Sequence, residues 1–231
     1  MNIDYVILNP AGNITLFVKT AVSMEHRKAV ADFCMQAFPS VEQVGYISCG
    51  EGGKYLSMQM AGGEFCANAM RSFNILCGRG TKAEVKAPSR ISSYKGGSLV
   101  ELDGISHIVF EGKWPSSESE RAEAEKLVKE YCSELSLMAL GFMFLNEKEG
   151  KMLPLVYVPA ADTLFWESSC ASGSAACGAY LADKYKAPVD IELAQPGGSI
   201  KVKTAPGKAI VLDGKVEIIG EGSLCIPEQL F

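Results

Sequence analysis

Histidine is scarce in this chain: there are two in 231 residues, His26 and His107, and neither sits in a cluster of metal-ligating residues. The eight cysteines, at positions 34, 49, 66, 77, 132, 170, 177 and 225, include no C-x-x-C pair. Both absences argue against a zinc site, whose ligands come at short, repeated spacings. No metal is expected, and no convincing cofactor motif is present, so neither pyridoxal phosphate nor another cofactor is expected. A basic run is also missing. With a formal net charge of −5, the chain has no electrostatic footprint for nucleic acid or an anionic membrane. No apolar run approaches the roughly 18 to 20 residues of a membrane span. The start, MNIDYVILNP, lacks the basic region, long apolar region and small-residue cleavage site of a secretion signal, so the cytoplasm is the expected location. There most of the thiols should be reduced, several of them serving as small buried hydrophobes. The partner left by these exclusions is a small molecule. A homodimer is admissible, but nothing in the sequence fixes the oligomeric state.

What is present is a globular composition, 48% hydrophobic and 21% charged, long enough for one large domain or two lobes. Alternation in YVILNPAGNITLFVK predicts a hairpin with its turn over 9–13. A helix over 23–38 follows, with Ser23 available as its N-cap and Pro39 after it. VGYISCG and KYLSMQMA read as strands, and 67–77 as a helix stopped by Gly78. The composition of SSYKGGS, residues 92–98, is that of a linker, which places an N-terminal lobe over 1–95 and a C-terminal lobe over 96–215. Residues 216–231 are expected to pack back on the first lobe. Strands in LVELDGISHIVFEG, a charged helix over 117–131, strands in MALGFMFLN and LPLVYVPA, and a small-residue helix over 172–183 complete the second half. Two further two-strand units close it, VDIELAQPGGSIKVKTA and KAIVLDGKVEIIGEG.

One arrangement occurs twice. Glu64-Phe65-Cys66-Ala67-Asn68-Ala69 and Glu167-Ser168-Ser169-Cys170-Ala171-Ser172-Gly173 each place an acid, a cysteine and small residues where a strand turns into an apolar helix. Equivalent lobes would set the two helix starts face to face. Free backbone N–H groups and the positive dipole end at such a start bind a carboxylate and favour a thiolate. A thiolate and a thiol on opposite sides of a bound α-carbon can remove a proton from one face and return one to the other. Small residues Ala67, Ala69, Ala171, Ser172 and Gly173 allow the close backbone approach this needs. The residues thus imply racemisation without a cofactor, driven by stabilised negative charge.

The same residues resemble the diaminopimelate epimerase family at four separated places. These are Cys66-Ala67-Asn68-Ala69, Cys170-Ala171-Ser172-Gly173, the AGNIT turn and QPGGSIKVK, so the likeness runs over nearly the whole chain. It implies an α+β fold of two pseudo-symmetric lobes, each a curved sheet around a central helix, with the active site in the cleft between them. Cys66 and Cys170 would be the catalytic pair of a pyridoxal-phosphate-independent racemase or epimerase. Three departures separate the chain from diaminopimelate epimerases: Ser168 follows Glu167 where they have an arginine, Ile105-Ser106 replaces Asn-Pro before His107, and no asparagine occurs over 139–144. A narrower similarity is to the histidine racemases of staphylopine-type metallophore pathways, through Asn9–Thr15, Glu42–Tyr46, Gly63–Cys66, Trp166–Cys170 and Gln195–Ile200. By that resemblance Asn13, Glu42 and Asn68 line the substrate pocket, with Glu42 taking the imidazole or amino group.

Plainer readings stand beside these. Glu64 and Glu167 could serve only as acceptors for helix-start N–H groups, and Asn13 only as a left-handed turn residue. His107 reads as a buried, satisfied histidine, Arg71 as a surface helix residue, and Cys77 and Cys177 as core. The alternative functions are a diaminopimelate epimerase, a non-catalytic amino-acid-binding protein on the same fold, and a thiol redox module, whose cysteines would have to lie within bridging distance.

Overall fold

The protein is described by a computed structural model over residues 2–227. The first lobe comprises β1 (Asn2–Asn9), β2 (Thr15–Val18), α1 (Arg27–Ala37), β3 (Gln43–Cys49), β4 (Tyr55–Met60) and α2 (Ala67–Leu76). Next come β5 (Ala83–Val85), β6 (Arg90–Tyr94), β7 (Gly97–Leu102), β8 (Ile105–Glu111), α3 (Glu118–Glu134), β9 (Leu140–Asn146), β10 (Lys151–Val158), β11 (Thr163–Trp166) and α4 (Ala171–Tyr185). The chain ends in β12 (Val189–Gln195), β13 (Gly198–Thr204), β14 (Ile210–Asp213) and β15 (Glu217–Cys225).

The two lobes repeat one connectivity. In the first, β1 and β2 pair antiparallel, α1 crosses over, β2 and β3 pair in parallel, and β3 and β4 pair antiparallel before α2. In the second, β7 with β8, β8 with β9 across α3, and β9 with β10 repeat those senses before α4. The fold is therefore α+β with two pseudo-symmetric lobes. Its sheets have five strands, in the order β15-β1-β2-β3-β4, and ten, running from β5 to β6 with β11 on β10.

Alternation along each strand divides the side chains between an outer and an inner helix. On β8, Ile108 and Phe110 face α3 with its Ala124, Val128 and Cys132. Ile105 and Val109 point the other way, onto α4. Likewise Val44 and Val18 meet α1, and Val6, Leu8 and Phe17 meet Ala69 and Phe73 of α2. The inner helix α4 is enclosed by curved sheet, which explains its composition: residues 171–179 are all buried, and a Cβ on Gly178 would sit 2.5 Å from Val202. Only small side chains let a helix lie that close to the strands around it. Among the described residues no helix is long and apolar enough to cross a membrane.

Four local expectations change. Residues 92–98 form no linker but the β6–β7 hairpin, whose turn residues Lys95 and Gly96 have φ of 47° and 78°, as a tight hairpin turn requires. β5 and β6 consequently hydrogen-bond into the larger sheet, and sheet membership changes between Met60 and Ala83 rather than at residue 95. β14 and β15 are not partners: β14 lies between β13 and β5, whereas β15 pairs with β1, so the chain passes between sheets over 213–217. Residues 228–231 of the expected terminal segment lie outside the described residues. Finally, Ser23 points its hydroxyl at His26 Nδ1, 2.7 Å away, instead of capping an α-helix, and a 3-10 turn over Met24–His26 precedes α1.

The lobes meet backbone against backbone. Gly12 (φ 104°) lies against Gly197, and a Cβ on Gly12 would be 2.5 Å from Gly197 Cα. Gly12→Ala should lower the urea midpoint by the equivalent of about 2–4 kcal/mol, from left-handed strain plus overlap. Gly207→Ala, also at positive φ but in open space, should cost only the strain, about 1–2 kcal/mol; equal losses would show that the lobe contact adds nothing.

Candidate active site

The two corners have nearly the same geometry. Cys66 caps α2 with φ −128° and ψ 109°, and its Sγ accepts the Ala69 N–H at 3.3 Å. Cys170 caps α4 with φ −131° and ψ 106°, and its Sγ accepts the Gly173 N–H, also at 3.3 Å. The first N–H groups of a helix lack intrahelical partners, and here one at each start is met by sulfur. Both thiols line one cavity of about 30 Å³, together with Glu64, Asn68, Glu167 and Ser172. That is room for about two waters. An amino acid is larger than this, so the cavity has to widen to admit one.

The expected site residues fall into layers. Ala67, Asn68, Glu167, Ala171 and Ser172 line the cavity with the cysteines, and Ala69 and Gly173 supply the N–H groups at the sulfurs. Asn13 and Glu42 lie behind them. Glu42 accepts from Asn13 Nδ2 at 2.7 Å, from the Ser168 N–H at 3.2 Å and from the Ser168 hydroxyl, so this carboxylate joins the first lobe to the second.

Glu42 also orders a chain of amides. A carboxylate only accepts, so Asn13 must present its NH₂ to Glu42 and its Oδ1 to Gln43, whose Nε2 donates at 2.5 Å. Gln43 Nε2 also donates to Thr15 Oγ1 at 2.7 Å. Gln43 Oε1 is thereby turned to Cys66, whose Sγ lies 3.1 Å away and donates to it. Cys66 is accordingly held as a thiol.

On the other side Cys170 Sγ is 3.5 Å from Ser172 Oγ, which is 3.1 Å from His107 Nε2. His107 is fully buried, and its Nδ1 has no partner and faces Gly141, where a Cβ would come within 2.3 Å. Burial lowers its pKa to about 3, so the ring is neutral. Placing its single proton on Nε2 uses that proton in the bond to Ser172 and leaves the serine hydroxyl free to donate to Cys170.

Sequence reasoning passed over Gln43, Gln195 and Arg71. Gln195 Oε1 accepts the Cys170 N–H at 2.6 Å; both glutamines lie within stretches already singled out, and their roles appear only once the lobes fold together. Arg71 is not on the surface but fully buried. It donates to Asn68 Oδ1 at 3.3 Å and to the carbonyls of Thr81 and Lys215 at 3.2 Å. Asn68 is thus turned so that its NH₂ reaches Asn13 Oδ1 and the Ser169 carbonyl. Cys177 is core as expected, whereas Cys77 ends α2 half-buried. All eight cysteines are free.

The electrostatics reverse one expectation. Helix starts were expected to lower the thiol pKa values, yet burial raises Cys66 to about 12, with the charges of Glu167 and Glu64 adding to it. The N–H of Ala69 and the Gln43 side chain only partly oppose this. Cys170 is raised well above its ordinary value, first by burial and then by Glu167. Desolvation outweighs the helix dipole because, among the described residues, no cation lines the cavity. Glu167 itself is raised from the ordinary 4.5 to about 8, again mainly by burial, with Glu42 and Glu64 adding.

The folded protein therefore keeps a proton on Glu167 that the unfolded chain releases above pH 4.5. The associated stability is full in acid and is lost as pH rises toward about 8. Glu167→Gln should melt level with the wild type near pH 4 and gain on it steadily up to about pH 8. An offset independent of pH would mean that Glu167 is ionised throughout.

Comparison with known proteins agrees with this geometry. Residues 2–97 and 81–225 match the family described as the histidine racemase CntK N-terminal domain. A histidine racemase of Fusobacterium nucleatum (strain ATCC 23726) is 32% identical, over 97% of both chains. One from Staphylococcus aureus (strain Mu50) is 26% identical over 97% of this chain and 98% of that protein. Among solved structures, a Pseudomonas aeruginosa protein described as a predicted epimerase superposes with a TM-score of 0.65 at 11% identity, covering 97% of this chain and 100% of the other. The hydroxyproline epimerase of Agrobacterium vitis, with bound trans-4-hydroxy-L-proline, gives 0.60 at 9% identity, covering 96% and 92%. At such identities these two carry the fold alone, but the family match and the full-length relatives extend over both cysteine corners, and the chain belongs to the histidine racemase family.

Proposed function

We propose that this protein racemises an amino acid without a cofactor, through Cys66 and Cys170, and that histidine is its leading substrate. The observation that carries this reading is a pair of thiols capping two helix starts on one closed cavity. In each first turn one N–H is taken by sulfur, leaving those of Ala67 and Asn68 and of Ala171 and Ser172 for a substrate carboxylate.

A zwitterion brings the missing cation. Its ammonium beside Glu167 and the thiols favours their ionised forms, opposing the penalty of burial. With the ammonium in place Glu167 gives up its own proton to solvent, and its carboxylate, beside Cys170, then takes the thiol proton. The Cys170 thiolate then removes the α-proton. Electron density flows onto the carboxylate, where the four N–H groups stabilise it, and the Cys66 thiol delivers its proton to the opposite face. At the end Cys170 is a thiol and Cys66 a thiolate. The other enantiomer runs through the same steps in reverse.

Substrate choice follows from charge. Diaminopimelate has a second carboxylate, which requires a cation. Ser168 stands where its epimerases have an arginine, and the serine is bound to Glu42. Lys28, which lines the neighbouring cavity, is held by Asp32 at 3.0 Å. A buried carboxylate left without a partner commonly costs several kcal/mol.

Neither Cys66→Ala nor Cys170→Ala should racemise substrate, and each should still exchange the α-proton of one enantiomer with deuterated water. Chiral analysis with mass measurement reads both outcomes, and near wild-type racemisation by either variant removes that cysteine from the mechanism. On the wild-type protein, kcat/KM for histidine should exceed that for meso-diaminopimelate by roughly a thousandfold. Turnover of diaminopimelate with none of histidine would defeat the substrate assignment and leave the two-thiol mechanism intact.

A further inference from the structure

Beside the cysteine cavity lies a second one, also about 30 Å³. The two share two lining residues, Gln43 and Glu64. These two differ in what they are free to do. Gln43 is fixed on both amide atoms by Asn13, Thr15 and Cys66. Glu64 is held only by nearby backbone, the N–H groups of Gly62 and of Glu64 itself favouring its carboxylate against burial, and no side chain meets its buried Oε2. An unpaired buried carboxylate oxygen is uncommon and calls for an explanation.

Glu42 offers a contrast. It was expected to read the substrate, yet both its oxygens are engaged by Ser168, and Oε2 also by Asn13, in holding the lobes together. Glu64 keeps an oxygen to spare on this wall. It follows Gly62 and Gly63, the latter at φ 76° with nothing within 4 Å of where a Cβ would be, so the backbone beside it has room to adjust. Beyond it the second cavity is lined by Glu42, Asp32, Met35 and Ala61, with Lys28 already paired to Asp32. Such a space suits a side chain that is part apolar and carries N–H groups or a positive charge, and repels one ending in a carboxylate.

We infer that this second cavity receives the substrate side chain and that Glu64 is a specificity-determining residue, its Oε2 accepting an N–H from the side chain of a basic amino acid such as histidine. This rests on the racemase reading above. When substrate enters, Glu64 moves aside and joins the two cavities into one site, with the α-carbon between the thiols and the imidazole beyond Gln43.

The test is the nearly isosteric Glu64→Gln, with Glu64→Ala as a second variant and thermal melting as a check that both fold. Initial rates of racemisation are measured for histidine and for a panel of amino acids with neutral side chains. Glu64→Gln should raise KM for histidine at least tenfold with kcat changed less than threefold, while the neutral amino acids keep or improve their kcat/KM. An unchanged KM for histidine overturns the inference and leaves the racemase reading intact. An equal rise in KM for every amino acid would place Glu64 at the α-ammonium instead and also overturn it. A wild-type protein that racemises neutral amino acids but no basic one overturns it too, whereas one that racemises no amino acid removes the racemase reading itself and this inference with it.

Discussion

The structure depends on the unsatisfied N–H groups at two helix starts that face each other. A helix start is polar and would normally be hydrated. Bringing two of them to one small cavity leaves a concentration of donors with few acceptors. Sulfur meets one donor at each start, and a substrate carboxylate is the group that fits the rest. The wrapping of sheet around α4, the small residues along that helix and the backbone contact of Gly12 with Gly197 all act to bring the starts together.

Closure sets the electrical state of the site. Burial raises both thiols and Glu167 and so holds them neutral. Ionisation of these groups is thereby tied to a ligand that brings its own positive charge. A resting thiolate would be exposed to oxidation; a thiol that ionises only beside a bound ammonium is less so.

The two halves share a connectivity but not their supporting groups. Around Cys66 the polarity runs from Glu42 through Asn13 and Gln43 to a thiol that donates. Around Cys170 a neutral histidine and a serine hydroxyl form the chain, and with the His107 proton on Nε2 the sulfur accepts. One carboxylate, Glu42, both bridges the lobes through Ser168 and begins the first chain. The contact that closes the cleft is thus the one that fixes the proton on Cys66.

Much of this was legible in the sequence because it depends on local rules. Strand alternation, the cysteine and small residues at each corner, and the repeat between halves gave the strands, the central helices and the two thiols, and the resemblance supplied the fold. Where the order of residues 213–217 implied a hairpin, the chain instead passes between sheets, because the partner of β15 is β1, more than two hundred residues away. The linker expected at residues 92–98 is a strand pair, since Gly and Ser serve a tight turn as well as a loop. The desolvation of the two thiols and Glu167 was beyond sequence reasoning. A helix start lowers a thiol pKa in water, and only the closed cavity shows desolvation winning. Arg71, Gln43 and Gln195 have ordinary neighbours in sequence and acquire their roles from residues up to 144 positions distant. The sequence by itself determined which groups could react. Tertiary structure decided their protonation, which carboxylate is occupied and which is free, because each depends on solvent exclusion and on partners brought from the other lobe.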